Sequence, residues 1–209
     1  MQPVIKICGL KTREAIEAAN AGDYLGFIFY PPSPRYIAPE DAGKLKQYAQ
    51  RKTVAVTVNP NDNLLDAICS QFAPDYIQLH GSESPQRVAE IKAHFGLPVI
   101  KAFNIQTPED FSSVAAYEQT ADMLLFDAKS PKGLHGGTGT AFDWKMLAGR
   151  VFTKPYFLSG GIHAGNAEEA LRISGARILD ISSGVETAPG VKSPEKIAEF
   201  IRKVKAITL

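Results

Sequence analysis

Short apolar runs rich in branched residues recur along this chain, and each is followed by a stretch whose apolar positions have helical spacing. The strand-like runs fall at residues 4–8, 24–29, 53–58, 76–79, 98–103, 123–126, 156–159 and 177–181. Helical segments are predicted at 12–22, 39–50, 62–72, 84–95, 107–118, 143–147, 164–174 and 193–207, several opening on a Ser, Thr or Pro start signal. Spread over 209 residues, eight such units take about 26 residues apiece. Strands and helices alternating at this spacing predict parallel strands with right-handed crossovers. Eight unbroken units fit a closed (β/α)8 barrel, the TIM-barrel form of the α/β class, better than an open sheet of six or seven strands.

One domain over residues 1–209 is expected. The 44% hydrophobic content can fill a sizeable core, and the 14 prolines sit at predicted element boundaries instead of marking a linker. A formal net charge of +1 gives no long-range pull toward nucleic acid or an anionic membrane, so neither is expected as a partner and any anionic ligand must be held locally. The two cysteines, Cys8 and Cys69, are too few for a disulfide scaffold and lack zinc-ligand spacing. The amino terminus carries no basic stretch followed by an apolar signal core, and no apolar run approaches the roughly 20 residues that span a bilayer. A soluble protein of the reducing cytoplasm is predicted.

A barrel of this kind builds its site at the carboxyl ends of the strands. Those positions read Cys8, Asn59, His80, Asp127, Gly160 with Gly161, and Asp180 with Ser182. Side chains alternate across a strand, so Lys6 and Cys8 share a face while Ile5 and Ile7 share the other. Read alone, Cys8 is more simply a small core residue than a reactive one. Gly160–Gly161 after the seventh strand and Ser182–Ser183–Gly184 after the eighth stand where barrels commonly bind phosphate, because glycines let the backbone approach an anion; Gly160–Gly161 alone reads equally as a plain turn, and the two loops in adjacent final units favour phosphate. Asp127 ends a wholly apolar strand, an environment that can turn a carboxyl into a proton donor, or it caps a turn. Cys8 is a candidate base if a cation such as Lys6 favours its thiolate.

Acid and base at one mouth, with an anchored phosphate, describe an isomerase that moves a proton within a sugar phosphate. Arg35, in the proline-rich loop after the second strand, offers a fork for a planar carboxylate, or is a surface charge. The run from Gly133 to Gly139 is a natural lid over the mouth, or a plain linker. His80 either orients substrate or is structural. Asp180 either binds a hydroxyl or amine, or neutralises Lys6. Cys69 falls on the apolar side of the third helix and is expected in the core.

These motifs resemble one family closely, the phosphoribosylanthranilate isomerases of tryptophan biosynthesis. The matching pieces are Lys6-Ile7-Cys8-Gly9, Phe27 to Tyr30 with Ser33-Pro34-Arg35, Gln78-Leu79-His80-Gly81, and Asp127. They continue with Gly136-Gly137-Thr138-Gly139, Phe142-Asp143-Trp144, Ser159-Gly160-Gly161, and Asp180 through Glu186 with Pro189-Gly190. The resemblance implies an Amadori rearrangement of N-(5-phosphoribosyl)anthranilate, with Asp127 as general acid, Cys8 as general base, Arg35 on the anthranilate carboxylate, and the last two loops on the phosphate. It implies no cofactor and no metal. A phosphorylated aminosugar is the expected small-molecule partner, and a monomer is favoured over a homodimer. The alternatives are the related aminoaldose–ketose isomerisation of histidine biosynthesis, where Cys8 stands in place of an expected aspartate, and a catalytically silent phosphate-binding barrel. One departure is Ile162-His163-Ala164-Gly165-Asn166, where Gly165 weakens the start of the predicted helix.

Overall fold

The computed structural model describes residues 2–128 and 143–208. Eight parallel strands close on themselves in sequence order: β1 (Val4–Cys8), β2 (Tyr24–Ile28), β3 (Lys52–Thr57), β4 (Tyr76–Leu79), β5 (Val99–Ile105), β6 (Met123–Ala128), β7 (Tyr156–Leu158) and β8 (Ile178–Ile181). Closure is made by β1 against β8, with Lys6 opposite Asp180 in register. The predicted barrel is therefore what forms.

The strand alternation builds two cores. Ile5, Ile7, Leu25, Phe27, Ile77, Leu79, Leu124 and Phe126 face outward and pack against the helices. Cys8, Val54, Val56, Ile100, Ala102, Met123, Leu125, Phe157 and Ile178 fill the barrel interior. Inward parity on β1 thus puts Lys6 among these apolar side chains, fully buried. Cys69 sits half-buried at the margin of the outer core.

Among the described residues, six α-helices cover the barrel: α1 (Arg13–Ala19), α2 (Pro39–Lys46), α3 (Asp62–Gln71), α4 (Pro85–Phe95), α5 (Ala167–Ser174) and α6 (Pro194–Lys205). Thr12, Asn61, Ser84 and Ser193 each cap a helix by accepting from a backbone N–H in its first turn. None is long and apolar enough to cross a membrane.

Two predicted α-helices are instead 3-10 turns, Pro108–Ala116 and Trp144–Leu147. In the first, Ser112 and Ser113 occupy the middle of the segment, where hydroxyls compete for backbone groups, and Ser113 donates to the Asp110 carbonyl at 3.5 Å. Helix α5 starts three residues later than expected. The loop before it is stapled by Asn166, which accepts from His163 N at 2.8 Å and donates to Gly161 O at 2.9 Å.

One element escaped the sequence reading entirely. After β8 the chain makes a 3-10 turn (Ser183–Val185) and then a short antiparallel hairpin of β9 (Glu186–Ala188) and β10 (Val191–Lys192), turning at Gly190 with φ +80. Two three-residue-scale strands are too short to show a period, and Pro189-Gly190 reads as an ordinary loop signal.

Candidate active site

The carboxyl ends of the strands surround a cleft of about 490 Å³, its open rim included, lined by Cys8, Tyr30, Arg35, Gln78, His80, Asp127, Ser159, Asp180 and Ser182 together with apolar side chains. A smaller pocket of about 230 Å³ adjoins it, lined by Ser159 to Ile162 and Asp180 to Ser183. The first has the size and mixed lining of a small-molecule site. The second is lined by the loops predicted to hold phosphate, except that Gly184 is not among its lining residues and instead packs against the Ile162 carbonyl. Gly160 and Gly161 take φ +85 and +67, which bends the backbone round the pocket, and a Cβ on Gly160 would lie 2.6 Å from Ala128 N and 2.9 Å from Asp127 Oδ1.

A chain of polar contacts crosses the mouth. Lys6 Nζ donates to Asp180 Oδ1 at 3.0 Å and to Gln78 Oε1 at 2.9 Å. Gln78 Nε2 lies 3.1 Å from His80 Nδ1, and His80 Nε2 lies 3.5 Å from Asp127 Oδ2. An ammonium only donates, so it fixes the Gln78 amide with its oxygen toward Lys6 and its NH₂ toward the imidazole. Nδ1 must then accept, which leaves the proton on Nε2, aimed into the cleft beside Asp127. That Nε2 is buried and makes no hydrogen bond of good geometry to any described residue, the 3.5 Å approach to Asp127 being an electrostatic contact only. Gln78 and Lys6 were legible as motif members, but no role for Gln78 follows from sequence.

Asp180 is paired with Lys6, so the neutralising reading of that aspartate is the one the contacts express, although it lines both pockets. Burial works against the Lys6 ammonium, but Asp180 outweighs it with help from Cys8, and the net direction is upward. Burial pushes the Cys8 thiol up; Lys6 and Lys192 oppose this without overcoming it, and Asp180 adds to it. At rest Lys6 is thus a cation and Cys8 a thiol. Cys8 faces Gly26 in register on β2, and a Cβ there would lie 2.9 Å from Sγ and 3.2 Å from Lys6 Cε. The missing side chain makes room for both.

The unforeseen hairpin supplies the other half of the mouth. Arg35 is buried and forms a fork with Glu186, Nε to Oε1 and Nη2 to Oε2, both at 2.8 Å. Lys192 Nζ donates to Glu186 Oε1 at 2.7 Å, to Ser182 O at 2.8 Å and to Ser182 Oγ at 3.1 Å. Ser182 Oγ in turn donates to the Cys8 carbonyl at 3.1 Å, so the hydroxyl proton is spent on the strand end. Burial raises the Glu186 carboxyl, but Arg35 and Lys192 reverse this and hold it below its usual range. The Gly136, Gly137, Thr138 and Gly139 lid expected from sequence lies outside the described residues.

Among the described residues, no group of three or more His, Cys, Asp or Glu side chains is placed to hold a metal ion. What the mouth does hold is a buried thiol, a carboxyl, a histidine N–H, a buried arginine and a glycine-walled pocket.

A family model for N-(5'-phosphoribosyl)anthranilate isomerase matches residues 5–203. The N-(5'-phosphoribosyl)anthranilate isomerase of Mesorhizobium japonicum is 51% identical over 208 residues, 97% of this chain and 95% of that one. The crystal structure of phosphoribosyl anthranilate isomerase from Thermotoga maritima superposes with a TM-score of 0.87 at 32% identity, covering 98% and 100% of the two chains. A structure of the isomerase in complex with reduced 1-(o-carboxyphenylamino)-1-deoxyribulose 5-phosphate gives 0.83 at 30% identity, covering 98% and 100%. Barrel, mouth and full-length similarity agree: this chain belongs to the N-(5'-phosphoribosyl)anthranilate isomerase family.

Proposed function

We propose that this mouth carries out the Amadori rearrangement of N-(5-phosphoribosyl)anthranilate to 1-(2-carboxyphenylamino)-1-deoxyribulose 5-phosphate, the isomerisation of tryptophan biosynthesis, with Asp127 as acid and Cys8 as base. Asp127 protonates the furanose ring oxygen, the bond from that oxygen to C1′ breaks, and the anilino nitrogen supplies the electron pair that forms the iminium. Cys8, in its thiolate form, removes the C2′ proton, and the C–H electron pair forms the C1′–C2′ double bond of an enolamine as the iminium pair returns to nitrogen. Tautomerisation gives the ketone, so the reaction is redox-neutral overall and both groups return to their starting state by proton exchange. The His80 N–H donates to a substrate oxygen beside Asp127, and the Lys6–Asp180 pair holds Gln78 and hence the imidazole in place.

Arg35 receives the anthranilate carboxylate, and the loops at Gly160–Gly161 and Ser182–Ser183–Gly184 receive the phosphate. The observation that carries this reading is that Cys8 and Asp127 line one cleft, joined by the Lys6–Gln78–His80 chain and flanked by a glycine-walled pocket. A barrel kept only for phosphate binding would have no use for that arrangement, and the two-carboxylate chemistry of the histidine pathway would call for an acid where Cys8 stands.

Purified protein should consume the substrate with loss of anthranilate-type fluorescence. Absence of turnover in folded protein would reject the assignment. We further propose a cytoplasmic monomer: among the described residues the exposed large apolar side chains are Tyr36, Val151 and Val191, scattered singly without forming an interface-sized patch, and both cysteines are free thiols. Light scattering on the eluted protein tests the mass, and a dimer mass would refute it.

A further inference from the structure

The Arg35–Glu186–Lys192 cluster holds two cations against one carboxylate, and all three side chains are at most 7% exposed. Buried charges are ordinarily balanced, because an uncompensated one is costly away from water. No carboxylate in residues 129–142 is available to redress the sum, since that stretch contains neither Asp nor Glu. Glu186 Oε1 is shared, accepting from both Arg35 Nε and Lys192 Nζ. With Lys192 absent, Glu186 would close a neutral pair with Arg35 and cancel the charge that a substrate carboxylate needs.

We infer that Lys192 is a positioning residue for substrate binding: by sharing Glu186 with Arg35 it leaves the cluster one positive charge in excess, matched to the carboxylate of an aromatic acid. The same ammonium grips both Ser182 oxygens, which ties this carboxylate end to the loop at the phosphate end. The inference rests on the reading that Arg35 receives the substrate carboxylate.

Steady-state kinetics on four variants separates the possibilities. Arg35→Ala is the control and should raise KM about tenfold or more, the scale of losing one charge-assisted contact; an unchanged KM rejects the carboxylate clamp itself. Given that control, Lys192→Met should also raise KM about tenfold with kcat within about threefold, and an unchanged KM overturns the inference while leaving the clamp intact. The double variant Lys192→Met/Glu186→Gln removes both charges and restores the single excess cation, so its KM should fall below that of Lys192→Met. A double variant no better than the single shows that Lys192 only props the hairpin, and overturns the inference. Should Lys192→Met not fold, Glu186→Gln alone decides: a KM at or below the parent's supports the shared-counterion role, and a tenfold rise refutes it.

Discussion

Replacing Gly26 by alanine tests how tightly the mouth places its thiol. The new Cβ would lie 2.9 Å from Cys8 Sγ and 3.1 Å from Cys8 Cα, where ordinary contact begins at 3.4 Å. Relief therefore needs about 0.5 Å at the sulfur and about 0.3 Å between the β1 and β2 backbones. The sulfur can yield by turning about χ1, which takes it off line; the Cα can yield only by parting two paired strands. Displacements near 1 Å at a reacting centre cost about 10²-fold, so half of that predicts a kcat about tenfold lower.

Overpacking of this kind also costs about 1–3 kcal/mol, or roughly 2–12 °C in Tm for a chain of this size. KM should stay within about twofold, because Arg35 and the glycine loops lie elsewhere. Fluorescence-monitored turnover beside a thermal melt reads all three quantities. A kcat within twofold of the parent's in folded Gly26→Ala would refute the claim that Cys8 must sit where this gap allows.

Three further outcomes follow from the same geometry. Asp127→Asn keeps the shape of the acid and removes its proton, so kcat should fall by about 10²-fold or more, and an unchanged kcat would take Asp127 out of the mechanism. Because turnover needs Asp127 protonated and Cys8 deprotonated together, kcat/KM should trace a bell whose alkaline limb is set by the Cys8 thiol; burial raises that thiol, so the fall should begin above about 8.5, where an ordinary thiol titrates, and a fall complete by pH 7.5 contradicts this. Nitrogen-15 NMR of the imidazoles should show His80 protonated at Nε2 and bare at Nδ1, whereas Gln78→Glu should move a proton onto Nδ1; a protonated Nδ1 in the parent would break the proposed chain from Lys6.

The sequence carried the barrel because its two periods are strong and local. Branched residues at alternate positions wrote both faces of β1, and that parity alone put Lys6 and Cys8 inside together. Strand ends were equally legible, and they brought Cys8, His80, Asp127, Asp180 and Ser182 to one cleft. Pairings between distant segments were not legible. Arg35 and Glu186 are 151 residues apart, and Lys6 and Gln78 are 72 apart, so neither the fork nor the amide that orients His80 has any local signature. The hairpin that delivers Glu186 and Lys192 is too short to show periodicity, and the 3-10 turn at 108–116 carried good helix-start residues that serines in its middle overrode.

Removal of the C2′ proton by the Cys8 sulfur is the step on which the proposed mechanism turns. Its most direct test is kcat for Cys8→Ala, measured on protein whose circular dichroism matches the parent. With the base lost and both proposed anion-holding ends intact, kcat should fall by about 10²-fold or more with KM within a few-fold. A folded Cys8→Ala variant that turns over within threefold of the parent would contradict it.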